Sequence, residues 1–92
     1  MAPDALAMGM IYKVVPDESL VAEGMAMAVR LADMPTKGLG LTKRLLNSSV
    51  YSSLEEQLEN EAEVQAEAGQ SRDFKEGVQA FLEKRKPVFT GQ

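Results

Sequence analysis

The sequence predicts a small all-α fold, and three observations support this class. Apolar residues recur at helical spacing in four stretches, near residues 18–33, 36–48, 54–68 and 73–85. Residues that commonly begin helices stand at the starts of three of them: Asp17 or Ser19, Ser53 and Asp73. Only residues 11–15 have the β-branched composition of a strand. We therefore expect four helices and one short isolated strand near the N-terminus.

The composition limits the size of the core and the available chemistry. A chain of 92 residues forms one small domain at most, and with only five aromatic residues it has few large side chains to bury. A small core of this kind favours stabilisation by a partner or by self-association. The absence of His and Cys removes the most common general base, the most common metal ligand and any disulfide.

Charge and hydropathy indicate which partners the protein can bind and in which compartment it is found. Its net charge of −4 disfavours nonspecific binding to nucleic acid. The sequence shows neither a signal peptide nor an apolar run of about 18 residues. We therefore expect a cytoplasmic protein that does not associate with membranes.

The β-branched cluster at residues 11–15 predicts a strand without a partner in this chain. Its apolar residues are Ile11, Val14 and Val15, and Pro16 ends it. Because a lone strand is not stable, the segment must add to a sheet, pair with a copy of itself or remain an extended connector.

The third predicted helix has a well-defined start and an acidic surface. Ser53 and Glu56 have the spacing of a capping box, and Gly69 is the expected residue just after the helix end. Three carboxylates share one face and could bind a divalent cation: Glu55, Glu59 and Glu63. A solvated helix face is the favoured interpretation of that pattern, so we predict no metal site.

The last predicted helix combines an apolar stripe with a basic end. Asp73 and Glu76 have capping-box spacing, and Pro87 stops the helix. The stripe consists of Phe74, Val78, Phe81 and Leu82. Positive charge follows in the basic triplet, which we define as Lys84, Arg85 and Lys86.

Two interpretations of the basic triplet remain open. Cations in a last helical turn oppose the negative end of the helix dipole, which is a purely structural role. Alternatively, the triplet is an anion site, and Phe81, one turn back, offers a flat face to a nucleobase. No catalytic constellation accompanies it, because the serines of the chain follow no nucleophile pattern and have no His to activate them.

Several segments resemble the crotonase superfamily, the enoyl-CoA hydratases and isomerases. The most specific is EGVQAFLEKRKPVF, and ALAMGMIYKVVPDESL, MPTKGLGLTKRLLN and SLEEQLENEAEVQAEAGQSRD support it. Within the superfamily the sequence is most similar to the isomerase group of phenylacetyl-CoA breakdown. The resemblance implies a spiral N-terminal domain followed by a helical, trimerisation-type C-terminal region. Residues 1–92 correspond to that helical region as a single domain, without the spiral domain.

The resemblance also implies a role for the chain. The family's oxyanion hole and acidic residues belong to the spiral domain, so we expect no catalytic residue and no turnover here. Phe81 and Lys84 match family positions that reach the adenine end and a phosphate of coenzyme A. The parent enzyme would use a coenzyme A thioester as substrate and no cofactor.

The expected function is therefore a region that oligomerises and completes an acyl-CoA site. We expect a dimer or trimer, since apolar faces lose their cover in the absence of the spiral domain: Leu20, Met25 and Val29, and Leu41 and Leu45. The alternative is an independent small acidic helical module for protein interaction.

Overall fold

Five α-helices make up most of the chain in a computed structural model that describes all of residues 1–92. The elements in chain order are α1 at Ala2–Ala7, a 3₁₀ turn at Asp17–Ser19, α2 at Leu20–Ala32, α3 at Thr36–Ser49, α4 at Leu54–Gln70 and α5 at Arg72–Glu83. The predicted all-α class is confirmed, and each of the four predicted helices is present with its ends shifted by a few residues. α1 is an additional helix, followed by Gly9 in a left-handed conformation with φ of 73°.

Residues 11–15 form no strand, so the predicted isolated strand is wrong for this chain. The segment is an extended connector, one of the three outcomes that the sequence allowed. No second strand is present to supply a ladder, and the connector is instead tied to α2 by an ion pair. In that pair Lys13 Nζ lies 2.7 Å from a carboxylate oxygen of Glu23.

The helices α3, α4 and α5 pack in sequence and contain the core. α3 packs along α4, and α4 packs against α5. Leu41 of α3 and Ala80 of α5 are the two buried apolar residues, at 3% and 1% exposure. The expectation that Leu41 loses its cover is therefore wrong, because α4 provides that cover within the chain.

The N-terminal arm, which we define as residues 1–33, has no core of its own. Neither α1 nor α2 contains a buried residue, and α2 packs appreciably only against the 3₁₀ turn before it. The large apolar side chains of α2 are mostly exposed: Leu20, Val21, Met25 and Val29. The predicted exposure of this helix face is confirmed.

The dimensions of the molecule show how little of its surface the chain buries. It measures 42 × 39 × 18 Å with a radius of gyration of 17.0 Å, whereas a compact domain of this length has a radius of about 12 Å. Its accessible surface is 7566 Å², whereas a compact monomer of this mass exposes about 5,200 Å². The molecule is a flat slab with much apolar surface facing outward.

Serine hydroxyls mark both ends of α4. Ser53 accepts a hydrogen bond from the N–H of Glu56, and the Glu56 carboxylate accepts one from the N–H of Ser53. This confirms the predicted capping box, and the backbone hydrogen bond lowers the pKa of Glu56. Gly69 does not end the helix, since α4 continues to Gln70 and Ser71 caps its end.

Candidate functional site at the C-terminal helix

α5 begins two residues earlier than the capping-box spacing suggested. Its N-cap is Ser71, whose hydroxyl accepts a hydrogen bond from the N–H of Phe74 at 3.0 Å. Asp73 and Glu76 therefore do not form the predicted capping box. Both carboxylates lie inside the helix and point to the segment that follows it.

Asp73 is buried, with 3% exposure, and binds the end of the chain. Its two carboxylate oxygens accept hydrogen bonds from the N–H of Thr90 at 2.7 Å and the N–H of Gly91 at 2.8 Å. Its own N–H donates to the carbonyl of Gln92 at 2.9 Å. Residues 88–92, which we call the C-terminal strap, thus return along α5 instead of extending away from it.

The C-terminal end of α5 is a tight left-handed turn at Lys84. This residue has φ of 55° and ψ of 38°, and its N–H donates to the carbonyl of Phe81. The N–H of Arg85 donates to the carbonyl of Ala80 at 3.0 Å. These two bonds form a Schellman motif. Its left-handed residue, here Lys84, is usually glycine because a side chain disfavours positive φ.

The ion pair between Glu76 and Arg85 closes this turn. Arg85 donates from Nη1 and Nη2 to the two oxygens of Glu76, at 2.6 and 2.9 Å. The N–H of Val88 donates to the same carboxylate at 2.8 Å. The hydrogen bonds from Arg85, and after them the one from Val88, lower the pKa of Glu76 to about 2, while Glu76 raises the pKa of Arg85.

The basic triplet is divided by these contacts. Arg85 is held by Glu76 and also by Glu83, whose pKa is lowered chiefly by the hydrogen bond from Gln79 and then by Arg85. Lys84 and Lys86 form no ion pair. All three cations lie beyond the last turn of α5, so the predicted location within that turn is wrong. Only the two lysines are available to an anion.

Phe81 stands one turn before Lys84 and is 81% exposed. It lines an apolar groove of about 450 Å³ between α5, the end of α4 and the start of α3. The other large apolar side chains of the groove are Phe74, Val78 and Phe89. Of the two predicted site residues, Phe81 therefore lines the groove, whereas Lys84 follows it by three residues and is not among the lining residues.

The carboxylates of α4 and the serines offer no competing site. Glu55, Glu59 and Glu63 do not come together with other acidic residues into a group that could hold a metal ion. The hydroxyls of Ser48, Ser49 and Ser52 donate to carbonyls of α3 one turn back. The groove and the turn at the end of α5 therefore remain the candidate site.

Comparison with known proteins identifies the family of the chain. The family model described as enoyl-CoA hydratase/isomerase matches residues 1–92. The chain belongs to the enoyl-CoA hydratase/isomerase family. It is 47% identical over 91 residues to the 1,2-epoxyphenylacetyl-CoA isomerase of Escherichia coli K12 and 44% identical to a probable enoyl-CoA hydratase of Rhodobacter capsulatus. Each alignment covers 99% of this chain and 35% of the relative.

Solved structures of family members have the same helical arrangement. An enoyl-CoA hydratase/isomerase from Mycobacterium abscessus superposes with a TM-score of 0.92 at 39% identity, and an enoyl-CoA hydratase from Geobacillus kaustophilus with 0.92 at 40%. They are matched over 98% and 99% of this chain and over 35% of their own chains. The chain therefore spans about a third of the length of these relatives. Within it, no helix has the length and apolar character needed to cross a membrane.

The residues that sequence reasoning missed are those that hold the strap and the turn. Ser71 was overlooked as the N-cap because Asp73, two residues later, had a matching Glu at the right spacing. Arg85 was grouped with its neighbours because the three cations are adjacent in sequence. Pro87 indicates only that the helix ends before it, and no short pattern signals the ion pair of Glu76 with Arg85, nine residues away.

Proposed function

We propose that this chain is the subunit-contacting helical region of an acyl-CoA enzyme of this family, and that it completes a coenzyme A site. By itself it is catalytically incomplete. The parent would act on a coenzyme A thioester without a further cofactor, and the Escherichia coli isomerase relative favours an isomerase of an aromatic acyl group. The cytoplasmic address stays a prediction.

The observation that carries the proposal is the surface that the chain leaves uncovered. Its accessible area exceeds that of a compact monomer by about 2,300 Å². One partner of a standard interface buries only about 800 Å², so the excess is large enough for a contact on more than one side. The excess includes the apolar face of α2, where Val21 is 80% exposed. Such a face favours contact with further protein.

The site-completing part of the proposal depends on Phe81 and Lys84. An adenine ring can stack on the exposed face of Phe81, and Lys84 can bind a phosphate as a compact cation. The groove beside Phe81 is apolar and open to solvent on one side. The family relationship over the whole chain favours this role over that of an independent acidic module.

Self-association is tested by sedimentation velocity of the chain at tens of micromolar. We expect a dimer or trimer, and we expect Val29→Asp to dissociate it because a carboxylate then lies on the apolar face of α2. Val50→Asp is the control, since Val50 is also exposed but lies after α3. A folded monomer at these concentrations would contradict the contacting role.

Ligand binding is tested separately by titration calorimetry with coenzyme A. We expect Lys84→Ala to weaken binding and the matched variant Lys86→Ala to weaken it less. Equal affinities for the unaltered chain and the Lys84→Ala variant would remove Lys84 from the site.

A further inference from the structure

Two carboxylates on one face of α5 hold the C-terminal strap by its backbone. Asp73 accepts hydrogen bonds from the N–H groups of Thr90 and Gly91, at 2.7 and 2.8 Å. One turn further along α5, Glu76 accepts a hydrogen bond from the N–H of Val88 at 2.8 Å. The strap therefore lies along α5 with three N–H groups bound to two carboxylates.

The strap also forms one wall of the apolar groove. A Cβ atom at Gly77 would stand 3.6 Å from Cε1 of Phe89, so the phenyl ring lies close against α5 at this point. Gly77 directly follows Glu76 in sequence, and its lack of a side chain leaves room for the ring. Phe89 and Phe81 line the same groove, so the position of the strap sets the shape of the groove beside Phe81.

The contacts that keep the strap in place are largely polar. Val88 is 72% exposed, and Phe89 is its only large apolar side chain that is partly buried. At its far end the strap meets α3, where a Cβ at Gly91 would lie 2.5 Å from the Thr36 hydroxyl oxygen. Without the carboxylate contacts, the strap would keep the phenyl ring of Phe89 and two hydrogen bonds to Gln92, from the N–H of Asp73 at 2.9 Å and the side chain of Arg72 at 3.1 Å. Residues 88–91 would then have no hydrogen bond to α5.

We infer that Asp73 and Glu76 are positioning residues that together hold the strap on α5, and that this fixes Phe89 and Lys84 for ligand binding. Glu76 makes two contacts beyond the turn at Lys84, because it accepts hydrogen bonds from the Arg85 side chain and from the N–H of Val88. Arg85 is thereby kept from the anion, and Lys84 is the cation presented near Phe81. The ligand part of this inference rests on the proposed coenzyme A site, whereas the strap part does not.

The strap part is tested by amide hydrogen exchange of the 92-residue chain, measured by NMR at Thr90 and Gly91. We expect Asp73→Asn to accelerate exchange at both amides by about tenfold or more, since each loses a hydrogen bond to a charged acceptor. Glu76→Gln is the milder variant, since its carboxylate is partly exposed, and we expect acceleration at Val88. Asp33→Asn and Glu59→Gln are the matched controls without side-chain hydrogen bonds. Unchanged exchange in both strap variants would overturn the inference.

The ligand part is tested by titrating the same variants with coenzyme A. We expect Asp73→Asn, Glu76→Gln and Phe89→Ala each to weaken binding by about threefold to tenfold, which corresponds to a modest loss of contact. Unchanged affinity in a variant whose strap is released would overturn the positioning role. If the unaltered chain itself does not bind coenzyme A, the proposed site is wrong, and the exchange rates still decide whether the carboxylates hold the strap.

Discussion

The N-terminal arm and the C-terminal helices differ in how far the chain covers its own apolar residues. All four buried residues lie in the second region: Leu41, Ser71, Asp73 and Ala80. The arm has no buried residue, although its helix α2 is more apolar in composition than α3, α4 or α5. Contacts within the chain therefore stabilise the second region, whereas they leave the apolar face of the arm uncovered.

The two regions also differ in how they use polar groups. In the C-terminal region, buried or half-buried carboxylates bind backbone N–H groups and fix the strap. In the arm, the ion pair of Lys13 with Glu23 is exposed, and such pairs contribute little to stability. The two regions therefore differ in their polar contacts in the same direction as in their apolar burial.

The largest expected difference between the two regions is the loss of stability on substitution by alanine, at Leu41 in one region and at Val29 in the other. Leu41→Ala should lower the free energy of unfolding by about 2–5 kcal/mol because it leaves a cavity in the only core. Val29→Ala should change it by less than about 0.5 kcal/mol in the monomer, since Val29 is exposed. Urea denaturation followed by circular dichroism at several protein concentrations measures both. Equal losses for the two variants at high dilution would contradict the contrast.

The pH dependence of stability should expose the Glu76 contact. Its pKa is lowered from 4.5 to about 2 in the folded chain, so its contribution is present above pH 4.5 and is lost as the pH falls toward 2. Thermal unfolding between pH 7 and pH 2 should show a decline that is shallower in Glu76→Gln, which cannot titrate. Glu59→Gln, on the exposed face of α4, should keep the steep decline. Superimposable profiles for Glu76→Gln and the unaltered chain would show that the ion pair adds nothing.

Replacement of Lys84 in the left-handed turn should change the free energy of unfolding least among these variants. Lys84→Gly should raise the free energy of unfolding by about 1 kcal/mol, because glycine adopts positive φ without the steric cost of a side chain. Lys86→Gly, outside the left-handed position, should not stabilise the chain. Chemical denaturation measures both changes. A destabilising Lys84→Gly would indicate that the lysine side chain, and not the backbone, stabilises the turn.

The helices could be predicted from the sequence because their signals are local. The capping box of Ser53 and Glu56 spans three residues, and the apolar period of α2 or α3 lies within a single element. Such patterns also identified which face of α2 is apolar. They did not distinguish Leu41, covered by α4, from Val29, left exposed, because periodicity shows which face is apolar and not what covers it.

The candidate site was predictable only in part for the same reason. Phe81 and Lys84 were named from the family resemblance, and their placement one turn apart follows from the helix. Asp73 binds Thr90, 17 residues away, and no short pattern signals a contact over that distance. The break at Lys84 was also unexpected, because a lysine in a left-handed conformation has no sequence signature of its own.

The most direct test of the central claim is hydrogen exchange of the whole chain followed by mass spectrometry at two protein concentrations, a few micromolar and several hundred. If contacts with another chain cover the arm, peptides from residues 1–33 should become markedly better protected at the higher concentration. Peptides from residues 36–92 should already be protected at the lower one, because their core lies within the chain. Protection of the arm that is strong and independent of concentration would contradict the claim.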